Sequence, residues 1–516
     1  MTSRQKITLA ALVLLSLGLG SINLTKPFLH HAEGSLTQVG KLARNYHKFG
    51  YGTLGFGVLD ASGPDLKAYD DYRKYFYTGH PPMTYWLASL TMRLAPGEAG
   101  VRLLPILFMA AATAIFYLIA LRKLEEPWAA VAGFVFAANP MMAYNSVATV
   151  HLIVVLCFAL AGVLQYLRWR KSGRRRDFLL LLGIQVVACW TDWQGYYLAP
   201  LVLVHLWATD RPRWKWGAAM VGLNFVLFGS FVLFVLSLAP EGGASMSHFL
   251  ALGGERAGLS FSSVPGYLLG EAREIGLYFT VPVALLAAVG LIRGRDPFLA
   301  CLLFLGLDEL LFIKYTMVHD YFTFCMTPFF ALGAAMGAKG LAQSLPRTPR
   351  IAILSLALIA FVGQSAVVLS NRLTRQGGYE FYYRLAGALN AVTRPEEKLV
   401  ILTSDIRFYT PYYADRYMIW VNRKDGELLV ENSGGRRKPF GPADLEPFLK
   451  ENREGFRYAV TADREGIRKS VRFLSTQPDA ILREFGAHDD DREFLGKLCG
   501  APLEKDGFLF WKLPGR

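Results

Sequence analysis

The stretch KYFYTGHPPMTYWL (74–87) places one histidine, His80, ahead of two prolines and an apolar run. Pro81 and Pro82 suit the first turn of a helix, where the N–H groups they lack would have no intrahelical acceptor. His80 then stands at the amino-terminal end of a helix over 81–95, where free N–H groups and the helix dipole favour an anion. A phosphate is the anion such a place suggests, and a residue that merely caps the helix is the bland alternative. Other ionisable and amide side chains gather before and after it. They are His30, His31, Glu33, Asp60, Asp65, Asp70 and Asp71, then Asn139, Asn145, Asp192 and the pair His319-Asp320.

The elements that must hold these residues cross a membrane. Of 516 residues only 19% are charged, and the mean hydropathy is +0.28. Apolar blocks at 7–22, 103–121, 150–164, 216–238 and 351–370 approach or reach the ~20 residues that carry a helix across a ~30 Å hydrocarbon core. No small-residue cleavage site cleanly follows the first block, and many spans come after it, so it reads as an anchor. Eleven spans are expected, at about 7–24, 101–121, 127–143, 149–167, 177–193, 196–208, 216–238, 276–292, 297–313, 323–338 and 351–371. The fold class is a polytopic α-helical membrane protein.

The net charge of +14 is distributed by side rather than by patch. Segments 1–6, 122–126, 168–177, 209–215, 293–296 and 339–350 hold 18 Lys and Arg in 44 residues. The alternate loops 139–148, 190–197, 239–276 and 314–322 hold 3 in 65. That asymmetry puts the amino terminus in the cytoplasm. RWRKSGRRRD (168–177) is then a topology anchor and not a nucleic-acid surface. With eleven spans, 25–100 is a long external loop of the membrane domain 1–371, and 372–516 is an external domain. The acids and imidazoles collect on the external side. Such groups are costly near a bilayer unless they line a polar cavity, so a site at the outer membrane surface is expected. The helix 81–95 is too short to span; it reads as interfacial, with Tyr85 and Trp86 suited to the headgroup layer.

The tail alternates apolar and polar residues at KLVILTS (398–404), YMIWV (417–421) and FLFWKL (508–513), with helices expected at 442–451 and 463–474. It reads as a small α/β domain. Cys157, Cys189, Cys301 and Cys325 lie in or beside apolar spans and Cys499 stands alone, so no thiol metal site or tail disulfide is expected. His30, His31 and Glu33 are near enough in sequence to hold a divalent ion, but hydrated loop residues are the simpler reading, so a divalent metal stays the lesser alternative and no cofactor is assigned. His151, inside a span, reads as a packed, hydrogen-bonded histidine, and Asn139-Pro140 as a helix terminator.

The ordered set HHAEGSLTQVGKLARNYHKFGYGTLGFG (30–57), FYTGHPP (76–82), GVRLLP (100–105), TDWQGYY (191–197) and HDYFTFCMTP (319–328) resembles the external motifs of GT-C membrane glycosyltransferases. The resemblance is to the glycosyltransferase family 39-like branch, relatives of the protein O-mannosyltransferases and the lipid A aminoarabinose transferase. It covers roughly 30–330. It implies an inverting transferase that moves a sugar from a polyprenyl-phosphate donor to an external lipid, glycan or protein acceptor. In a bacterium this places the chain in the inner membrane with the tail in the periplasm.

The family's catalytic acid maps onto Glu33, although the family often shows an acidic pair where this chain has Ala32-Glu33. Asp60 and Asp70-Asp71 are the other candidates. A carboxylate there would take the proton of the acceptor hydroxyl. His80, Arg102, Lys314 and Tyr321 are the candidates for the leaving phosphate. Asp192, His319 and Asp320 are the candidates for sugar or acceptor. A transporter or flippase for a lipid-linked sugar is the rival reading, though transporters place ionisable residues nearer mid-membrane. A non-catalytic envelope scaffold is the third.

Overall fold

The computed structural model describes residues 1–30, 32–68, 71–238, 264–294, 297–307, 311, 321–374, 380–402, 409–424, 427–432, 437–442, 457–462 and 489–513. The chain divides into two compact units. One is Met1–Lys26 with Thr78–Thr374; the other is Pro27–Tyr77 with Arg375–Arg516.

The longer helices up to Thr374 run in chain order as α1 (Ser3–Gly20), α2 (Gly34–Phe49), α3 (Met83–Leu94), α4 (Glu98–Lys123), α5 (Trp128–Ala138), α6 (Val150–Ser172), α7 (Arg175–Thr191), α8 (Leu198–Thr209), α9 (Trp214–Leu238), α10 (Val264–Glu274), α11 (Val281–Arg293), α12 (Thr327–Ser344) and α13 (Arg347–Thr374). Of these all but α2 belong to the first unit, and further helices at Glu380–Val392, Tyr409–Ala414 and Asp489–Cys499 belong to the second. Among the described residues six helical stretches are long and apolar enough to cross a membrane: Glu98–Lys123, Val150–Ser172, Arg211–Leu238, Val264–Arg293, Thr323–Ser344 and Arg347–Thr374. The chain is a multi-pass helical membrane protein.

Local chemistry sets the helix ends. α4 opens after Gly97 at φ 76° with Glu98 in its first turn and closes on Arg122 and Lys123, matching charge to dipole at both ends. α6 closes on Gly173 in the left-handed conformation at φ 64°, which a side chain disfavours. Asn139 ends α5 as expected: its amide donates to Val135 and Phe136 carbonyls and accepts from the Met142 N–H. α11 and α12 meet through glycines, for a Cβ on Gly290 would stand 2.1 Å from the Gly333 carbonyl oxygen. Close backbone approach of this kind is how helices gain packing energy where lipid offers no hydrophobic drive. α13 instead turns Ile351, Leu356, Leu358 and Ile359 outward, as a lipid-facing helix would.

The expected helix at 81–95 forms as α3, with Pro82 at its cap. Its burial corrects one expectation. Tyr85 is fully buried rather than set in a headgroup layer, while Leu90, Arg93 and Leu94 are exposed. Tyr85 faces inward because its ring packs edge-on against His151, with centroids 5.0 Å apart.

The second unit joins the first long loop to the tail. Its sheet has strands β1 (Leu399–Leu402), β2 (Met418–Lys424), β3 (Glu427–Asn432), β4 (Arg437–Pro442), β5 (Tyr458–Ala462), β6 (Leu503–Lys505) and β7 (Phe508–Lys512), ordered β4-β3-β2-β1-β5-β7-β6. β1 runs parallel to β2 and β5, and the other pairs are antiparallel. The three alternating runs read from the tail are β1, β2 and β7; the helices expected at 442–451 and 463–474 lie outside the described residues. Val400, Ala459, Leu495, Trp511 and Leu513 form the core beside the sheet.

The loop is tied to this domain by specific contacts. The Phe28 N–H donates to the Tyr413 hydroxyl at 2.7 Å, and Arg44 donates to the Tyr412 carbonyl at 2.9 Å. Asp415 accepts from Lys48 at 2.5 Å and from the Gly63 N–H at 3.1 Å, with Arg44 at 3.3 Å. Gly63 sits at φ 98°, and a Cβ there would also crowd the Tyr417 N–H at 3.1 Å.

Candidate active site

The ends of three helices in the first unit bring His80, His151 and Asp192 together. His80 immediately precedes the prolines that start α3. Asp192 follows the last residue of α7 in extended backbone, and its carboxylate caps the short turn Trp193–Tyr197 by accepting the Trp193 N–H at 2.8 Å. Gly195 in that turn is required by space, since a Cβ would fall 2.2 Å from the Ala188 carbonyl oxygen. His151 is the second residue of α6.

The His80 Nδ1 lies 2.7 Å from the Asp192 Oδ1. The Trp193 indole N–H donates to the Gly79 carbonyl at 2.8 Å, and the Thr84 hydroxyl reaches the Thr191 carbonyl at 3.5 Å, so GHPP and TDWQG are bound to each other on both sides of the pair. The His151 ring stacks on His80, with centroids 4.8 Å apart and planes 14° from parallel. Asp192 is 1% exposed and His151 8%, while the His80 side chain is 27% exposed. The pair therefore has a buried acceptor and a partly open imidazole. Asp192 thus engages the His80 Nδ1 while the His80 ring stays partly open.

Sequence reasoning gave His80 and Asp192 separate tasks; the fold makes Asp192 the partner that orients His80. His151 was assigned to packing, yet it completes the cluster. The signal was its place at the start of its span, two residues inside the expected boundary at 149.

Arg102 requires a correction. It is fully buried and donates to the Leu24 carbonyl at 3.4 Å and, more closely, to the Lys26 carbonyl. Those bonds tie the segment after α1 to α4, which gives the guanidinium a backbone role that the sequence does not show. Tyr321 is partly buried at the head of the turn Phe322–Met326. Lys314, His319 and Asp320 lie outside the described residues, as do His31 and Asp70.

The loop carboxylates belong to the second unit. Glu33 is buried, stands at the cap of α2, and accepts the His30 N–H at 2.8 Å and the His30 ring at 3.1 Å. The two potential ligands are thus engaged with each other. Asp60 is buried in an ion pair with the buried Lys41. Asp71 caps the turn Tyr72–Tyr75 and binds the Arg73 guanidinium, whose hydrogen bond holds its carboxyl below the usual range. In the Asp415 cluster, burial pushes Lys48 down to about 8, against the pull of Asp415. Burial alone would raise Asp415, and the charges of Arg44 and Lys48 more than reverse that, leaving it below the ordinary value.

Residues 79–237 match the family model described as dolichyl-phosphate-mannose-protein mannosyltransferase, and that stretch contains His80, His151 and Asp192. ArnT from Cupriavidus metallidurans, solved bound to undecaprenyl phosphate, superposes with a TM-score of 0.61 at 14% identity, covering 92% of this chain and 96% of that one. The Archaeoglobus fulgidus oligosaccharyltransferase AglB, in complex with an inhibitory peptide and a dolichol-phosphate, superposes at 0.56 with 12% identity over 91% and 70%. This chain has the GT-C fold. Within that fold the three-residue cluster sits on helices of the membrane unit and inside the family-matched stretch. A search of curated proteins finds no matching sequence.

Proposed function

We propose that the chain is an integral-membrane glycosyltransferase that moves a sugar from a polyprenyl-phosphate donor to an acceptor outside the cytoplasm. The observation that carries this reading is the His80–Asp192 pair, a partly open imidazole backed by a buried carboxylate where three membrane-unit helices end. The matched family description and the polyprenyl phosphates bound by ArnT and AglB support it.

In this reading the donor phosphate meets His80. Asp192 holds Nδ1 and fixes the ring, which meets a phosphate oxygen in a contact that strengthens as charge grows on the departing phosphate. Fixing the ring in advance means it need not reorganise during the reaction. For the proton of the attacking hydroxyl the reading keeps Glu33, a buried carboxylate held by His30, in the role that the family resemblance implies. Asp60 is already neutralised by Lys41 and Asp71 by Arg73, so neither takes that role. The orientation, with the amino terminus cytoplasmic, follows from the basic loops.

The test uses full-length protein in nanodiscs with a panel of radiolabelled polyprenyl-phosphate sugars. Wild type should turn over at least one donor. Glu33→Gln should lose turnover while still binding it, and His80→Ala should lose binding. Lipid movement across the bilayer without any turnover would replace the transferase with a transporter.

A further inference from the structure

We propose that His80, His151 and Asp192 bind one divalent transition-metal ion. Each residue offers a ligand atom, and the three atoms lie within 4.8 Å of one another, the one such grouping among the described residues. Two imidazoles and a carboxylate suit a borderline cation such as Zn²⁺, Co²⁺ or Mn²⁺. Three protein ligands also leave positions open, the pattern of a site that takes a further ligand rather than a closed structural one.

A second observation points the same way. His151 Nδ1 and Asp192 Oδ2 are buried and have no hydrogen-bond partner among the described residues. Buried polar atoms are rarely left so, because each gives up water without replacement. One cation between them would satisfy both. The surroundings are those of an organised site. The Trp193 N–H already fixes the Asp192 carboxylate by its other oxygen, and Tyr85 braces the His151 ring.

Ligand atoms around one such ion lie about 3 Å apart, and the ion sits in the plane of each imidazole that binds it. His80 and His151 are stacked, so one ring must turn on loading. His80 is the ring with room, being the partly open one, whereas His151 is packed.

A cation here and a protonated His80 are two ways of placing positive charge at one point. The cation additionally offers a phosphate oxygen a coordination position. That role rests on the transferase reading; the existence of the site does not.

The probe is Co²⁺ titrated into chelator-stripped, full-length protein in nanodiscs. One ion per chain should bind with a visible spectrum of nitrogen and oxygen ligation and be displaced by Zn²⁺. His151→Gln and Asp192→Asn should each weaken binding by roughly tenfold or more. His47→Ala, an exposed histidine of the other unit, should change nothing. X-ray absorption on the zinc-loaded wild type reads the ligands without any variant, and two imidazoles with oxygen support the site. No stoichiometric ion, equal binding by the variants, or sulfur or all-oxygen ligation overturns it. Binding as expected with no donor turned over would remove the transferase reading and leave the metal site standing.

Discussion

Lys48 donates to Asp415 at 2.5 Å across 367 residues of chain, so the first long loop and the tail are held as one body by a shared carboxylate. Arg44 and the Gly63 N–H converge on the same side chain, which makes Asp415 the hub of the junction. Neither segment shows this alone. The loop reads as a membrane-surface feature and the tail as a separate domain, because nothing in local periodicity encodes a pairing so distant.

Asp415→Asn should loosen that junction. Removing the charge strands two half-buried cations, and hydrogen bonds to charged groups contribute about 1.5–3 kcal/mol each. The expected outcome is faster proteolysis within 27–77 in the intact protein, with the membrane helices unaffected. Unchanged proteolysis would mean that the apolar contacts of Phe28 hold the loop by themselves.

The same cluster predicts that stability rises with pH in two separate windows. Asp415 has its folded pKa depressed, so its contribution is present above the unfolded carboxyl value and is lost as pH falls through the folded one. Lys48 is also depressed, to about 8 from 10.5. Between those values the unfolded chain binds more protons, so the Lys48 contribution to stability rises with pH over that window. Thermal unfolding of the second unit, followed between pH 7 and 10 by a probe on the tail, should show a rise that Lys48→Gln removes.

His80 and Asp192 should separate in their kinetics. His80→Ala removes the phosphate contact itself, so donor affinity should fall. Asp192→Asn keeps a hydrogen-bond partner for the ring but takes away the buried carboxylate that fixes it. Donor binding should then survive while kcat drops on the order of 10²-fold. Equal loss of affinity in both variants would make Asp192 a direct ligand instead.

Much of this architecture was legible. The run at 351–371 carries no charge and forms the outward-facing middle of α13, and KLVILTS, read as an alternating run, is apolar throughout 399–402 because β1 is buried inside the sheet. The helix start at GHPP was legible too, since two prolines suit a first turn and α3 follows them. What stayed hidden was partnership. His80 and Asp192 are 112 residues apart, and His151 gave only its place at a helix end. Arg102 misled because an arginine ending an apolar span looks the same whether it meets lipid, phosphate or the Leu24 and Lys26 carbonyls.

Arg102 can therefore be tested against its former assignment. Arg102→Ala leaves two carbonyls at the end of the α1 segment without their donor, a buried loss of roughly 1–3 kcal/mol each. Yield and thermal stability should fall, while the folded fraction should bind donor with unchanged affinity. A specific loss of donor affinity in well-folded protein would restore the phosphate role.

Lys41 and Asp60 decide whether a second loop carboxylate is chemical or structural. Both are buried, at 1% and 5% exposure, and each neutralises the other. Breaking such a pair from one side leaves an uncompensated buried charge, at a cost of about 3–5 kcal/mol, whereas replacing both partners with apolar groups is often neutral. Lys41→Met and Asp60→Leu should each destabilise the second unit strongly, and the double variant should recover most of the loss. If Asp60 serves only the fold, the recovered double variant turns over donor at the wild-type rate. If stability returns and turnover does not, Asp60 takes part in the reaction, and the base assigned to Glu33 moves there.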